Sequence, residues 1–475
     1  MYYTQFGYVI IILIALLPSG AAAGLFAKRK KAWFCASSIT LAGIALLSAF
    51  LLASQASFTL LQVFRFYPFS ELMVAVFASL LIAIDTLAYE YSTDFLSFSL
   101  FFGLSIAGML LVAMANSLIT VLIGLELMGI PTVFMVLAHG RRHTEAAIKL
   151  FVLSALAIAL LAFAIALTTP YNPTLSINAA LLASPLSNGN SLLALAIVLF
   201  AAALLTESAA FPFNLWVPDV YEGAPGHVTA MLAGINKKVA FVALIEVFFS
   251  MILYSGYTFQ PIFILLATAT MFFGNLVALL QVNVKRMMAY SSISQAGYIL
   301  VGISAATAQG LSASIFYIIA HAVMIIGAFT VIVWFEGKNM RTVGEYSGAW
   351  SKNPLAAFSL TIFMLSMIGV PPLMGFVGKF LLFSSAVGAN LLYLAFIGII
   401  NSVVSVYYYG RVILSMYAGR RYERRVRMAD AVSLVVVSLL IITVAFGIFP
   451  GLLMHASSMA GNSLISAWPA SPVVP

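Results

Sequence analysis

Seven ionisable residues interrupt runs that are otherwise apolar: Glu126, Lys149, Glu207, Lys237, Lys238, Glu246 and Lys379. A charge in hydrocarbon costs roughly 2.5–3.5 kcal/mol even on the lenient insertion scale. Both signs recur here over many runs, which suits a path for protons or ions better than an anchor. The basic members are lysines, which can exchange a proton when buried, whereas arginine stays charged.

Glu126 lies in LIGLELMGIP, deep in the fifth apolar run, and Lys149 opens the sixth, after EAAI. Short connections make successive runs neighbours in space. A Glu126–Lys149 pair is therefore expected, either as a static bridge or as a pair whose strength follows the protonation of a further lysine. Lys237 and Lys238 are adjacent in AGINKKVAF of the eighth run. Successive helical positions diverge by about 100°, so the two cannot both face one path. One is expected to face the bundle interior, the other to snorkel or to reach Glu246 or Glu207. Gly234 and Asn236 suggest local unwinding there. His321, in IFYIIAHAVMIIGAF, is central in the eleventh run. A lone buried histidine is more often a satisfied core group than a carrier, but its place between the lysine pair and Lys379 favours a relay. Lys379, in GFVGKFLLF, would be the last carrier toward one surface. Tyr290, Ser291, Ser292, Ser294 and Gln295 give the tenth run a polar face that could hold water or bond neighbouring helices.

Such a path needs helices to hold it. The chain has 475 residues, of which 63% are hydrophobic and 8% charged. A spanning helix needs about 20 apolar residues, and the sequence contains about fourteen such runs. The predicted fold class is an all-α polytopic membrane protein, a single membrane domain over residues 1–475. The runs are continuous rather than alternating, which excludes a transmembrane β-barrel. The single cysteine, Cys35, excludes a disulfide framework and a CxxC metal or cluster site. No glycine-rich phosphate loop follows a strand. The run from Tyr8 to Phe26 lacks a basic segment before it and reads as a retained span, not a signal peptide.

The net charge is +8, and its placement points to the membrane rather than to nucleic acid. Of the 22 Lys and Arg, sixteen fall in five alternate loops: Lys28 to Lys31, Arg141 and Arg142, Lys285 and Arg286, Lys338 to Lys352, and Arg420 to Arg427. Arg65 falls in the other set. The positive-inside rule makes the basic loops cytoplasmic. An even number of spans then puts both termini outside. Tyr171 to Ser191 forms the longest outer loop and Met340 to Pro354 the longest inner one. Ser457 to Pro475, small and polar, reads as a loose tail with no helical extension after the last span.

Two runs carry proline in mid-membrane, at Phe211-Pro212-Phe213 and Val370-Pro371-Pro372. Proline removes a donor and leaves carbonyls to be satisfied by other groups. Broken helices at corresponding places mark transporters built from inverted repeats. These two lie in the seventh and twelfth runs, an odd number apart, so a second copy would be inverted. An ordinary packed kink is the competing reading. An ionisable residue accompanies each break, Glu207 before Pro212 and Lys379 after Pro372, and this favours the repeat. The repeats would cover residues 94–255 and 256–418.

LIGLELMGIP, EAAIKLF, FPFNLWVPDVYEGAP, KRMMAYSSISQAGY and MIGVPPLMGFVGKF resemble, in order, the antiporter-like membrane subunits of complex I-type NADH–quinone oxidoreductases. WVPDVYEGAP is similar to the N type in particular. The resemblance runs from about Leu96 to Phe383. It implies fourteen helices with two inverted five-helix repeats. It also implies a proton path through Glu126, Lys149, a lysine of the eighth helix and Lys379 along the membrane midplane; the reading of the residues above adds Glu207 and His321 to that path, with Lys238 and Glu246 auxiliary. By alignment on the preceding motif, Lys237 is the matching lysine of the eighth helix. The implied function is proton translocation driven by quinone reduction in other subunits. The chain would bind no cofactor itself, with NADH, flavin, iron–sulfur clusters and quinone in its partners. Those partners would be M-type and small K- and J-type membrane neighbours, in a prokaryotic plasma membrane.

One position departs from the pattern. Where the family carries a lysine in the seventh helix this chain has Glu207, and the family's histidine is replaced by Asn214. Pairing of Glu207 with Lys237 or Lys238 would compensate for the reversal. The rival readings are the same fold in a membrane-bound hydrogenase, a deazaflavin-dependent dehydrogenase or a cation/proton antiporter complex; a structural subunit whose channel is inactive; and a stand-alone secondary transporter.

Overall fold

The computed structural model describes residues 2–27, 30–138, 140, 143–177, 191–254, 259–419, 422 and 425–466. The helices are α1 (Tyr2–Ala27), α2 (Lys30–Ser54), α3 (Pro68–Tyr91), α4 (Phe95–Ala113), α5 (Leu118–Leu137), α6 (Thr144–Thr168), α7 (Ser191–Ser208) and α8 (Trp216–Gly223). α9 (Gly226–Met231) runs through a π-turn at Leu232–Asn236 into α10 (Lys237–Tyr254). Then come α11 (Gln260–Leu279), α12 (Val284–Ser304), α13 (Ala308–Glu336), α14 (Ala349–Lys352), α15 (Pro354–Ile368), α16 (Met374–Gly388), α17 (Leu392–Tyr417), α18 (Asp430–Ile448) and α19 (Gly451–Ser466).

The fourteen apolar runs are all helical. Among the described residues ten helices are long and apolar enough to cross a membrane, and Tyr3–Pro18, Ser97–Ala113, Pro354–Ile368 and Met374–Gly388 are shorter apolar helices. The last two are halves of one broken span. α12 completes the set. It is too polar to pass on hydropathy, yet nearly every residue in it is buried. Helices surround it instead of lipid, so its hydroxyls and amide can be satisfied by protein. The broken seventh and twelfth spans lie five apart, so their chain directions oppose, as inverted five-helix repeats require.

Hydrogen bonds between connections sort the loops onto two faces. The hairpin β1 (Phe58–Leu60) and β2 (Phe64–Phe66) bridges to Ala115, and Ser117 bridges to Ser176. These contacts gather the connections before α3, α5 and α7 on one face. On the other, His143 Nδ1 donates to the Gly223 carbonyl (2.5 Å), Asn283 bridges to Thr342, and the Gly348 N–H donates to Ala418. Lys285, Arg286, Lys338, Arg341 and Lys352 belong to this second face, termed here the basic face. Lys28, Arg29, Arg141, Arg142, Arg420, Arg421 and Arg424 lie outside the described residues, as do 178–190 of the longest outer loop.

The C-terminal expectation needs correction. The segment expected to be a loose tail is helix as far as Ser466, and 467–475 lie outside the described residues. α19 follows the last span and packs on α13 and α3. Leu453, Ser457, Ala460, Gly461 and Leu464 are its buried positions, one stripe at helical spacing. The small residues that suggested looseness let α19 approach closely: a methyl on Gly461 would stand 2.5 Å from the Ser312 hydroxyl.

Candidate functional site

Both broken spans stop in the same way. α7 is followed by Ala209 at φ +59° and a cis Phe211–Pro212 bond; α15 by Gly369 at φ +100° and a cis Pro371–Pro372 bond. A left-handed residue after the last turn is the usual way to end a helix. The freed groups then find partners. At the first break the Trp216 indole N–H donates to the Thr206 carbonyl (3.0 Å), and the Phe211 N–H donates to Thr270 Oγ1 (3.1 Å). At the second, Lys379 Nζ donates to the Ile368 carbonyl (3.0 Å) and Gln295 Nε2 to the Met367 carbonyl (3.3 Å). Ser366 Oγ accepts from the Gly375 N–H (3.0 Å).

Glu126 and Glu207 are both half-buried. Ser154 lies within hydrogen-bonding reach of Glu207, and Glu126 is near enough to act on it electrostatically. Glu207 thus has Ser154 beside it and another carboxylate nearby, and the expected pairing with Lys237 or Lys238 is not formed. Nor is the expected Glu126–Lys149 pair. Lys149 Nζ instead bonds Glu145 (2.7 Å) and Asp219 (2.6 Å). Depth explains this. Glu126 lies eleven residues, about 16 Å, from the basic-face end of α5, whereas Lys149 lies about 8 Å from the start of α6. At that level α8 offers Asp219. Asp219 and Glu222 also hold Arg286 (2.7 and 3.0 Å), so WVPDVYEGAP clamps α6 to α12 at the basic face.

The two central lysines are fully buried and diverge, as helical geometry requires. Lys237 Nζ donates to both the carbonyl and the hydroxyl of Ser292 (3.1 Å each). Lys238 Nζ donates to the Ala233 carbonyl (3.3 Å), inside the π-turn that Gly234 and Asn236 had suggested as an unwound point. Asn236 Nδ2 donates to Thr132 Oγ1 (3.3 Å), tying the π-turn to α5. Glu246 does not meet Lys238, because it accepts from the Tyr67 hydroxyl (2.9 Å) at the hairpin face.

His321 is buried and lies within electrostatic reach of Lys237, Lys238 and Lys379. Neither ring nitrogen has a partner among the described residues. Its ring stacks on Tyr317 (6.4 Å, 12°), whose hydroxyl bonds Gln295. Lys379 Nζ sits 4.3 Å above the Tyr298 ring and donates to Ser402 Oγ (3.2 Å); Ser402 in turn donates to the Tyr298 hydroxyl (3.1 Å). The structure thus brings Lys237, Lys238, His321 and Lys379 into one polar interior and leaves Lys149 outside it.

Sequence reasoning missed several groups. Asp219 and Glu222 were visible only as part of a motif. Glu71 and Asp85 are buried carboxylates of α3; both oxygens of Glu71 are without a partner among the described residues, and Asp85 accepts from Ser37 (2.5 Å) and Ser38 (3.2 Å). The signal that exposed Glu126, an isolated acid in an apolar run, was present for both. Among the described residues no group of His, Cys, Asp or Glu is placed to hold a metal ion.

Cavities open among the described residues. One of about 520 Å³ opens on the basic face between Tyr91, His143, Glu222, His227, Glu336 and Arg341. Another of about 300 Å³ lies between α13, α16 and α19, lined in part by Gln309, Phe316, Leu381 and Asn462.

Comparison with known proteins gives this arrangement its family. Residues 115–405 match the family described as NADH:quinone oxidoreductase/Mrp antiporter, TM. NADH-quinone oxidoreductase subunit N of Heliobacterium modesticaldum is 36% identical over 410 residues, 83% of this chain and 85% of that one. The chain belongs to the subunit N family of antiporter-like membrane proteins. Subunit N of Trichlorobacter lovleyi is 41% identical over 319 residues, just under two thirds of its length and 65% of this chain. Among solved structures, a chain of respiratory complex I from Thermus thermophilus superposes with a TM-score of 0.80 at 27% identity, over 95% of this chain and 99% of that one. The subunit N relatives are parts of an NADH-quinone oxidoreductase, and the family's matched region holds both broken spans and every buried lysine, histidine and carboxylate named above except those of α3.

Proposed function

We propose that this chain translocates protons as a membrane subunit of a respiratory NADH–quinone oxidoreductase. The observation that carries the reading is the buried set Lys237, Lys238, His321 and Lys379, with the three lysines within electrostatic reach of His321; on this reading Glu126 and Glu207 extend the path toward the first break. Uncompensated charge inside a bundle marks proton relays, and each lysine ends on a hydroxyl or carbonyl rather than a carboxylate, so it can lose its proton without orphaning an anion. On this reading Lys149 orders the basic face instead of carrying protons. Electron chemistry, with NADH, flavin, iron–sulfur clusters and quinone, belongs to partner subunits, and M-type and small K- and J-type subunits flank the chain. The repeats cover residues 94–255 and 256–418. The basic face is cytoplasmic and both termini lie outside, in a prokaryotic plasma membrane.

A second reading is favoured by the Glu126–Glu207 pair, which replaces the opposite charges expected from the family: a structural subunit with an inactive channel. Proton pumping in vesicles holding the assembled complex separates the two, with electron transfer as the control. Lys237→Ala is expected to abolish this subunit's share of pumping while the complex still assembles. Unchanged pumping and turnover would favour the structural subunit.

A further inference from the structure

The proton path proposed above needs an entrance, and α13 gives a depth scale for one. Glu336 and Val333 line the basic-face cavity. Phe329 lies seven residues below Glu336, about 10 Å deeper, Ile326 about 15 Å and His321 about 22 Å. Tyr221 sits at the Phe329 level, its ring edge-on to Phe329 (5.9 Å, 80°) and to Trp216 (6.4 Å, 70°). The π-turn sits at the Ile326 level, since a methyl on Gly234 would overlap that side chain. Tyr221 directly precedes Glu222 and Gly223 of the cavity wall, and it is completely buried where Glu222 is exposed.

Among the described residues the Tyr221 hydroxyl has no well-formed hydrogen bond, yet it lies beside Ser292. Ser292 is the residue that holds Lys237 Nζ through both its oxygens. A buried hydroxyl left short of a partner destabilises the fold. If only the ring were needed, phenylalanine would serve better.

We propose that Tyr221 and Ser292 connect the basic-face cavity to Lys237. This rests on the reading of Lys237 as a proton carrier. Rotation of the Ser292 hydroxyl lets it serve Tyr221 and Lys237 in turn. In the transfer, water that penetrates from the cavity to the buried Tyr221 oxygen gives it a proton, Tyr221 passes its own to Ser292, and Ser292 passes its own to the neutral Lys237 amine. Both hydroxyls end unchanged, Lys237 ends as the ammonium, and the solvent has lost one proton.

The test compares Tyr221→Phe, Ser292→Ala and Lys237→Ala in vesicles of the assembled complex, with proton flux, electron transfer and thermal stability read together. Tyr221→Phe keeps the ring contacts, so assembly is expected to be unchanged and melting equal or slightly raised, while the flux lost in Lys237→Ala falls by about tenfold or more. Ser292→Ala is expected to lose the same flux. Normal flux in Tyr221→Phe or in Ser292→Ala, where Lys237→Ala has lost it, overturns the connection and leaves the lysine in place. Should Tyr221→Phe fail to assemble, Ser292→Ala alone decides on the same criterion. Normal flux in Lys237→Ala removes the function on which the connection rests, and the connection with it.

Discussion

The two broken spans meet one physical problem with different chemistry. Each frees carbonyls in mid-membrane, where every such group must find a partner inside the protein. At the first break the donor is Trp216, ten residues beyond the Thr206 carbonyl it serves. At the second it is Lys379, eleven residues beyond Ile368. An indole N–H donates regardless of pH or neighbouring charge. A lysine donates three protons when charged and two when neutral, and its ties to Ser402 and the Tyr298 face weaken when the charge is lost. The first break is thus closed permanently, whereas the second is closed by a group that takes part in the proposed proton path. The terminators differ too: glycine accepts φ +100° freely, but alanine at φ +59° carries local strain. Like terminations therefore do not make the two breaks equivalent, and on the proposed function the second is the one that responds to charge.

That asymmetry can be broken experimentally, starting where the effect is largest. Lys379→Ala is expected to abolish proton flux and also to destabilise the second half by about 1–3 kcal/mol, through the orphaned Ile368 carbonyl. Pumping assays with thermal melting of the complex would read both losses; retained flux would make the two breaks functionally alike. Trp216→Phe is expected to cost a similar 1–3 kcal/mol through the Thr206 carbonyl, yet to leave protons moved per electron within experimental error. A changed ratio would mean that the first break also takes part in gating. Ala209→Gly should have the smallest effect, a gain of up to about 1 kcal/mol from relief of the left-handed strain, less whatever glycine's added freedom in the unfolded chain removes. Melting that falls by several degrees would show that Ala209 packing outweighs its backbone strain.

Much of the fold was legible before the structure. The helices, the two breaks and the distortion before Lys237 all follow from apolar runs, prolines and a Gly–Asn pair. The bilayer imposes these features residue by residue along the chain. The C-terminal segment was misread because smallness and polarity describe both a loose tail and a close-packing helix, and only the face that α13 and α3 present tells them apart. The charge pairs were misread for a related reason. Lys149 and Glu126 are close in sequence but differ in depth by about 8 Å, and the acid at the right depth, Asp219, is 70 residues further on. Glu71 and Asp85 carried the same signal as Glu126 but belonged to no motif.

By itself, then, the sequence determined which residues enter the membrane, where two helices must break, and which charges cannot be left in lipid, because hydrocarbon tests each segment on its own composition. The tertiary structure alone decided which buried group faces which: Glu207 toward Glu126, Lys149 toward Asp219, Lys237 toward Ser292, Lys379 into the second break. Those choices depend on the rotation and depth of helices packed against one another across the whole chain, and no local run of residues contains that information.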